Sequence, residues 1–191
     1  PKSNNPDGGA QTGDGGFQAG GSADKFENGG RTDVDADTQA EGKVGTHFDA
    51  VRRSISEAIS ESGMEKYIDI EEDPHWLSIN INSGMLFAKD SASVLAASRP
   101  VIARIAVALS NINNYIRVRG YTDNTFIPNG IFRNSWDLSA NRSVSVLEEL
   151  EKAGIEPERM AVEAFGQFSN KYSNKTAAGR ALNRKVVIAI S

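Results

Sequence analysis

Two oppositely charged side chains stand where a layered protein often binds its ligand. Asp123 follows the segment Tyr115–Gly120, which predicts a strand, and Arg142 lies two turns into the helix predicted from Ser135. The carboxyl end of a strand is a common ligand position, so both side chains are predicted to face one cleft. A ligand carrying an ammonium and a carboxylate would satisfy both charges, with the arginine binding the carboxylate bidentately.

The spacing of these residues also allows other chemistry. Asp123 and Arg142 would form an ordinary ion pair if their side chains met, and the spacing alone does not decide between the two interpretations. Asp123 and Asp137 would form a glycosidase-type pair, which requires one carboxyl group of raised pKa, and no feature of the sequence indicates one. Trp76 and Trp136 are predicted to pack in the core or in the wall of the pocket.

Three sequence blocks carry a resemblance to a known family. They are Gly120-Tyr-Thr-Asp-Asn124, Leu138-Ser-x-x-Arg142 and the segment from Gly179 to Val186, and they occur in the family's order. Together they resemble the OmpA-like peptidoglycan-binding domain, over about Leu86 to Ser191. In that family the aspartate and the arginine grip the diaminopimelate side chain of the peptidoglycan stem peptide.

The resemblance implies a role for six residues of this sequence. Asp123 would take the ammonium of diaminopimelate and Arg142 its carboxylate. Thr122 and Asn124 would orient the loop between them.

The third sequence block supplies two further pocket residues, and one position of the sequence departs from the family pattern. Asn183 and Arg184 would close the pocket. Tyr121 stands where the family usually has histidine.

Within the family, the segment Asn134–Ser139 and the long loop Asn124–Asn134 are similar to MotB/PomB-type stator B subunits of flagellar motors. This resemblance implies a periplasmic domain of a protein anchored in the cell inner membrane, which fixes the ion-driven stator to the cell wall. The implied partners are peptidoglycan, a stator A subunit reached through an upstream membrane helix, and a second copy in a homodimer. A lipoprotein or secretion-system anchor of the same family is the alternative, and a wall-cleaving enzyme is a less favoured one.

Charge and composition exclude several classes of function. Residues 1–45 hold eight acidic and four basic side chains, whereas residues 46–191 hold 17 of each. A neutral folded part argues against nucleic acid as a partner, which would require a basic surface. The sequence has no cysteine, and neither His47 and His75 nor the acidic run Glu71–Asp73 forms a convincing ligand pattern. We therefore expect no metal, no cofactor and no catalytic residue.

Composition, hydrophobic periodicity and the family resemblance together divide the chain into three segments. Residues 1–45 hold 11 of the 18 glycines and are predicted to form a flexible linker. Residues 46–84 are predicted to form a helix, capped by Thr46 with Asp49, and a hairpin. Residues 85–191 are predicted to form the OmpA-like domain.

Within that domain, helices alternate with strands. The alternation predicts an α/β layered fold, and the resemblance implies that it is an α+β two-layer sandwich with a mixed sheet. The helix after Ser135 is predicted to have Ser135 as its N-cap and to turn Ala140, Val144, Leu147 and Leu150 inward.

Overall fold

The computed structural model describes residues 48–191, so the predicted linker 1–45 lies outside the described residues. Ten principal elements follow one another along this part of the chain. They are α1 (Asp49–Ser60), β1 (Ile68–Glu72), β2 (Leu77–Asn82), α2 (Ser83–Leu86), α3 (Arg99–Ser110), β3 (Ile116–Tyr121), α4 (Ser135–Lys152), β4 (Met160–Gly166), α5 (Ala177–Asn183) and β5 (Lys185–Ile190).

The strands form one mixed sheet in the order β1-β2-β5-β3-β4. Only the pair of β3 and β4 is parallel; the other neighbouring strands are antiparallel. Alternate strand residues such as Ile79, Val118 and Ile188 are buried in a core that also receives Ile55, Ile105 and other residues of α1, α3 and α4. The fold is therefore the predicted two-layer α+β sandwich, with helices packed on a mixed sheet.

The N-terminal helix and hairpin share this core with the rest of the described chain. Strand β2 pairs along its length with β5, and α1 packs against α3. Helix α1 begins at Asp49 with Phe48 in the N-cap position. Thr46, which the sequence predicts to cap this helix with Asp49, lies outside the described residues.

Helix α4 differs from the sequence prediction in its cap. Asn134, and not Ser135, is the N-cap residue, and its side chain accepts a 2.8 Å hydrogen bond from the backbone N–H of Asp137. Ser135 is the first helical residue. Asparagine is as good a cap as serine, so a sequence with both in succession leaves the start of the helix ambiguous by one residue.

The inward face of α4 also differs from the prediction. Val144 is 42% exposed, whereas Leu138, Val146 and Leu150 are buried. Ser139 and Ser143 lie against the sheet at Gly120. A Cβ atom on Gly120 would come within 2.3 Å of the Ser139 carbonyl oxygen. The absence of a side chain on Gly120 therefore allows α4 to approach β3 closely, with Ser139 and Ser143 facing the strand. Val144 lies on the exposed side of the helix.

Among the described helices, none is both long enough and apolar enough to cross a membrane.

Candidate functional site

A cavity of about 710 Å³ opens where β2 and β3 end and β5 begins. Its wall combines apolar side chains with five charged residues, which is a composition suited to a polar ligand with an apolar chain. The lining residues are Ser83, Gly84, Phe87, Ala88, Lys89, Asp90, Leu95, Thr122, Asp123, Thr125, Phe126, Leu138, Arg142 and Arg184.

Asp123 is held in the cavity wall by three hydrogen bonds. Its Oδ1 accepts from the backbone N–H of Thr125 at 2.8 Å and from the Thr125 hydroxyl at 2.6 Å. Its Oδ2 accepts from Arg184 Nη1 at 2.5 Å. Burial raises the pKa of this carboxyl, but the bonds from Thr125 and Arg184 outweigh burial and hold the pKa below its usual value. Asp123 is therefore ionised at neutral pH.

Most of the Arg142 side chain is buried, and part of its guanidinium remains available to a ligand. It is 7% exposed, its Nε donates a 2.9 Å hydrogen bond to the Ser91 carbonyl, and its guanidinium carbon lies 5.1 Å from the centre of the Phe87 ring. Burial lowers its pKa, and Asp90 and Asp123 act in the opposite direction. Within residues 48–191, its terminal nitrogens Nη1 and Nη2 have no hydrogen-bond acceptor, so they can bind a ligand.

The structure decides how the two predicted residues relate to each other. Asp123 forms its ion pair with Arg184 and not with Arg142, so the alternative of a simple Asp123–Arg142 pair is wrong. Both side chains nevertheless line the same cavity. Opposite charges therefore face a shared space large enough for a small zwitterionic group.

Of the other predicted residues, Thr122 and Arg184 line the cavity. The Thr122 hydroxyl donates to the Asp123 carbonyl at 2.9 Å, which fixes the loop at its start. Asn124 is exposed and is not part of the lining. The residue that orients the Asp123 carboxylate is Thr125, two positions later.

Asn183 does not line the cavity, and its predicted position there is wrong. It is 1% exposed and bonds to the backbone of Tyr172 in both directions, accepting at 3.1 Å and donating at 2.8 Å. Its side chain also donates to Asn174. Asn183 therefore braces the loop before α5, because a buried amide must find partners for its donors and its acceptor.

Sequence reasoning missed four residues around the charged pair: Thr125, Phe87, Asp90 and Ser91. An Asp-x-Thr sequence after a strand is a recognisable signal, because aspartate side chains often accept hydrogen bonds from the backbone two residues on. Phe87, Asp90 and Ser91 carry no such signal. They reach the cavity only because the loop after α2 folds back over α4.

The remaining candidates lie away from the cavity. Asp137 belongs to the exposed side of α4, where Arg133 donates to it from its backbone and its side chain. Trp136 is 51% exposed and stacks on Phe168 at 4.2 Å, so its predicted place in the core or pocket wall is wrong. In the part of the chain that the structure describes, no group of three or more metal-ligating side chains occurs.

A model of the OmpA family matches residues 86–184, which include the charged residues of the cavity. This chain belongs to the OmpA family. The match begins at the end of α2 and ends at Arg184, so it spans the loops that build the cavity wall.

Three relatives show where within the OmpA family the similarity lies. Motility protein B of Bacillus subtilis strain 168 is 27% identical over 142 residues, which are 73% of this chain and 54% of that protein. The chain therefore spans about half the length of this curated relative. The periplasmic domain of Helicobacter pylori MotB superposes with a TM-score of 0.60 at 25% identity, over 65% of this chain and 78% of that one.

The third similar protein belongs to a secretion system and not to a flagellar motor. The cell wall anchor of the T6SS from Pseudomonas aeruginosa superposes with a TM-score of 0.66 at 27% identity, over 71% of this chain and 95% of that one. The OmpA-family fold is thus found both in a motility protein and in a secretion-system anchor.

Proposed function

We propose that this OmpA-family domain binds the stem peptide of peptidoglycan without cutting it, using Asp123 and Arg142 on the diaminopimelate side chain. The ammonium of diaminopimelate lies against Asp123 Oδ2, and its carboxylate accepts from Nη1 and Nη2 of Arg142. The single observation that carries the proposal is that both charged groups line one cavity without pairing with each other.

The hydrogen-bond inventory of the two residues supports this assignment. A carboxylate offers about four acceptor positions, and three donors from the protein already approach Asp123. One position therefore remains for an ammonium donor. The guanidinium of Arg142 is oriented by Ser91 and Phe87 before any ligand arrives. Such preorganisation favours affinity, since little side-chain freedom is lost on binding.

Apolar residues in the cavity wall support the same ligand. Phe87, Leu95, Phe126 and Leu138 line the space around the charges. The methylene chain of diaminopimelate would lie against these side chains while its charged end reaches Asp123 and Arg142. Burial of the chain would add to the affinity through the hydrophobic effect.

The role of this binding is anchorage. We propose that the domain lies in the periplasm and fixes an ion-driven flagellar stator to the cell wall, as a homodimer joined through a membrane helix to a stator A subunit. The likeness to Motility protein B and to the periplasmic domain of MotB supports this assignment. A motor can turn its rotor only if the stator is held to a rigid structure.

A second candidate is the anchor of another envelope assembly. The superposition on the cell wall anchor of the T6SS favours it. Both candidates require the same grip on peptidoglycan and differ in what the domain is attached to. The full-length gene distinguishes them, because a single transmembrane helix before the domain fits the stator and a lipobox cysteine fits a lipoprotein.

Binding is favoured over cleavage by the state of the carboxyl groups. A glycosidase requires a general acid with a raised pKa. Hydrogen bonds from Arg133 hold the pKa of Asp137 below its usual value, and the pKa of Asp123 is lowered as well despite its burial. Neither carboxyl is suited to donate a proton at neutral pH.

Co-sedimentation with purified sacculi tests the proposal. Asp123→Asn and Arg142→Ala each remove one charge that the ligand needs, so each is expected to weaken binding at least about 30-fold. Glu151→Gln, an exposed carboxylate near the end of α4, is the matched control and should bind like the wild type. Circular dichroism establishes that the variants are folded. Wild-type binding by both cavity variants, or release of muropeptides from the sacculi, would overturn the proposal.

A further inference from the structure

A second carboxylate lies in the cavity wall, and the proposed function does not use it. Asp90 lines the cavity together with Asp123 and Arg142. Its neighbour Ser91 accepts the 2.9 Å hydrogen bond from Arg142 Nε, so the loop that carries Asp90 is fastened directly to the arginine. Asp90 itself is exposed, which leaves its side chain within reach of a ligand.

The backbone of Asp90 is unusual for a residue with a side chain. Its φ is 53°, and no other non-glycine residue among residues 48–191 has a positive φ. This left-handed conformation is unfavourable for most residues, but aspartate adopts it more readily than most because its short polar side chain can form local hydrogen bonds. Aspartate is therefore compatible with this turn, which places Asp90 in the cavity wall.

The charges around Arg142 indicate what Asp90 does there. Asp90, Asp123 and Arg184 are the charged groups that act on its guanidinium, and Asp90 opposes the effect of burial on its pKa more than Asp123 does. Asp123 is already paired with Arg184. Asp90 is therefore a counter-charge for Arg142 in the cavity wall that is not taken up by the Asp123–Arg184 ion pair, and a buried cation is unfavourable without a counter-charge.

We propose that Asp90 is a specificity-determining residue, which makes the cavity accept a carboxylate with an ammonium beside it and reject a bare carboxylate. The inference rests on the proposed function and names the chemical class that the same site selects. A bare carboxylate that approaches Arg142 meets repulsion from Asp90 and Asp123 together. A zwitterionic centre brings a positive charge to the same place, so the two acids attract it. Selectivity thus includes a repulsive element against the wrong ligand.

Free diaminopimelate and pimelate provide the test, because pimelate is the same dicarboxylic acid without the amino groups. Both are titrated into the wild-type protein and into Asp90→Asn and Asp90→Gly, with binding followed by NMR chemical shifts. The wild type is expected to prefer diaminopimelate. In both variants the ratio of the two affinities is expected to fall about fivefold, mainly because pimelate binds better.

Two comparisons separate an effect of charge from one of shape or stability. Asp90→Asn keeps the size of the side chain, whereas Asp90→Gly removes it and still suits the left-handed backbone, so a shared loss of selectivity must come from the charge. Glu148→Gln removes an exposed negative charge on α4, outside the cavity lining, and should keep the wild-type ratio.

The outcomes distinguish this inference from the proposed function. If the wild type prefers diaminopimelate and both Asp90 variants keep the full preference, Asp90 does not determine specificity while the proposed function stands. If the wild type binds neither compound nor sacculi, the proposed function fails and this inference fails with it.

Discussion

At the scale of single residues, Asp123 and Arg142 are each held in place by other partners and not by an ion pair with each other. Asp123 is charged and oriented by Thr125 and Arg184, whereas Arg142 is oriented by a backbone carbonyl and an aromatic ring. Neither residue needs the other to stay in place. Each can therefore present its charge to a ligand, with little rearrangement on binding.

The lowered pKa of Asp123 predicts how binding depends on pH. The folded-state pKa of this carboxyl lies below its usual value, so its ion pair with Arg184 contributes stability above the unfolded-state pKa, and this contribution is lost as pH falls through the lowered pKa. We expect the affinity for a diaminopimelate stem peptide to be constant between about pH 5 and pH 8 and to fall only below about pH 4. Calorimetric titration of the peptide at a series of pH values measures this affinity.

The surroundings of the cavity support the same pH profile. Tyr121 stands where the family usually has histidine, and burial raises the pKa of its hydroxyl further above the usual value, so it stays neutral in this range. His75 lies in the exposed turn between β1 and β2. A binding midpoint near pH 6 to 7, which is typical of histidine, would show that another group controls the site.

At the scale of elements, α4 has the strongest influence on the site. Its buried face carries Arg142 into the cavity between Leu138 and Val146, and the missing side chain of Gly120 lets it lie close to β3, the strand next to the central strand β5. The position of Arg142 therefore depends on the rotation of the helix, which the core contacts of α4 determine.

A pair of substitutions on α4 tests this rotation. Leu150 is fully buried and Val144 is 42% exposed. Leu150→Ala is expected to lower the free energy of unfolding by about 2 to 5 kcal/mol because it leaves a cavity in the core. Val144→Ala is expected to change it by less than about 0.5 kcal/mol. Urea denaturation measures both, and equal losses would show that the helix is turned the other way.

Periodicity predicted most of the fold because most elements follow a simple pattern. Leu77, Ile79 and Ile81 alternate along β2, and Ile102 and Ile105 form a stripe on α3; all five are fully buried. Strand β5 has the predicted bounds, Lys185–Ile190. In β2 and α3 one face meets the core, so hydropathy alone fixes their orientation, whereas β5 is a continuous apolar run buried from Val186 to Ile190.

The incorrect predictions concern positions where side-chain packing, and not hydropathy, determines which way a residue faces. On α4 the predicted inward face is confirmed at Leu150, and Leu147 packs against the core. The prediction is wrong at Val144, because the helix buries Ser139, Arg142 and Ser143 instead. Asn183 was misplaced because its backbone partners at Tyr172 lie in an irregular loop. Asp90 could not be predicted, since nothing in the sequence marks a left-handed aspartate or the fold of its loop over α4.

At the scale of the whole molecule, the cavity exists only when the described domain is folded. Its wall is built from residues between Ser83 and Arg184, and these come from four separate segments. The N-terminal hairpin contributes indirectly, because β2 pairs with β5 and so supports the strand that follows Arg184. A ligand that binds this cavity should therefore stabilise the whole domain against unfolding.

The most direct measurement compares two stem peptides that differ at one residue, diaminopimelate in one and lysine in the other, by calorimetric titration into the folded protein. Lysine keeps the ammonium for Asp123 and lacks the carboxylate for Arg142. The account predicts that the diaminopimelate peptide binds at least about tenfold more tightly, and that Arg142→Ala removes this preference. Equal affinity of the wild type for the two peptides would contradict it.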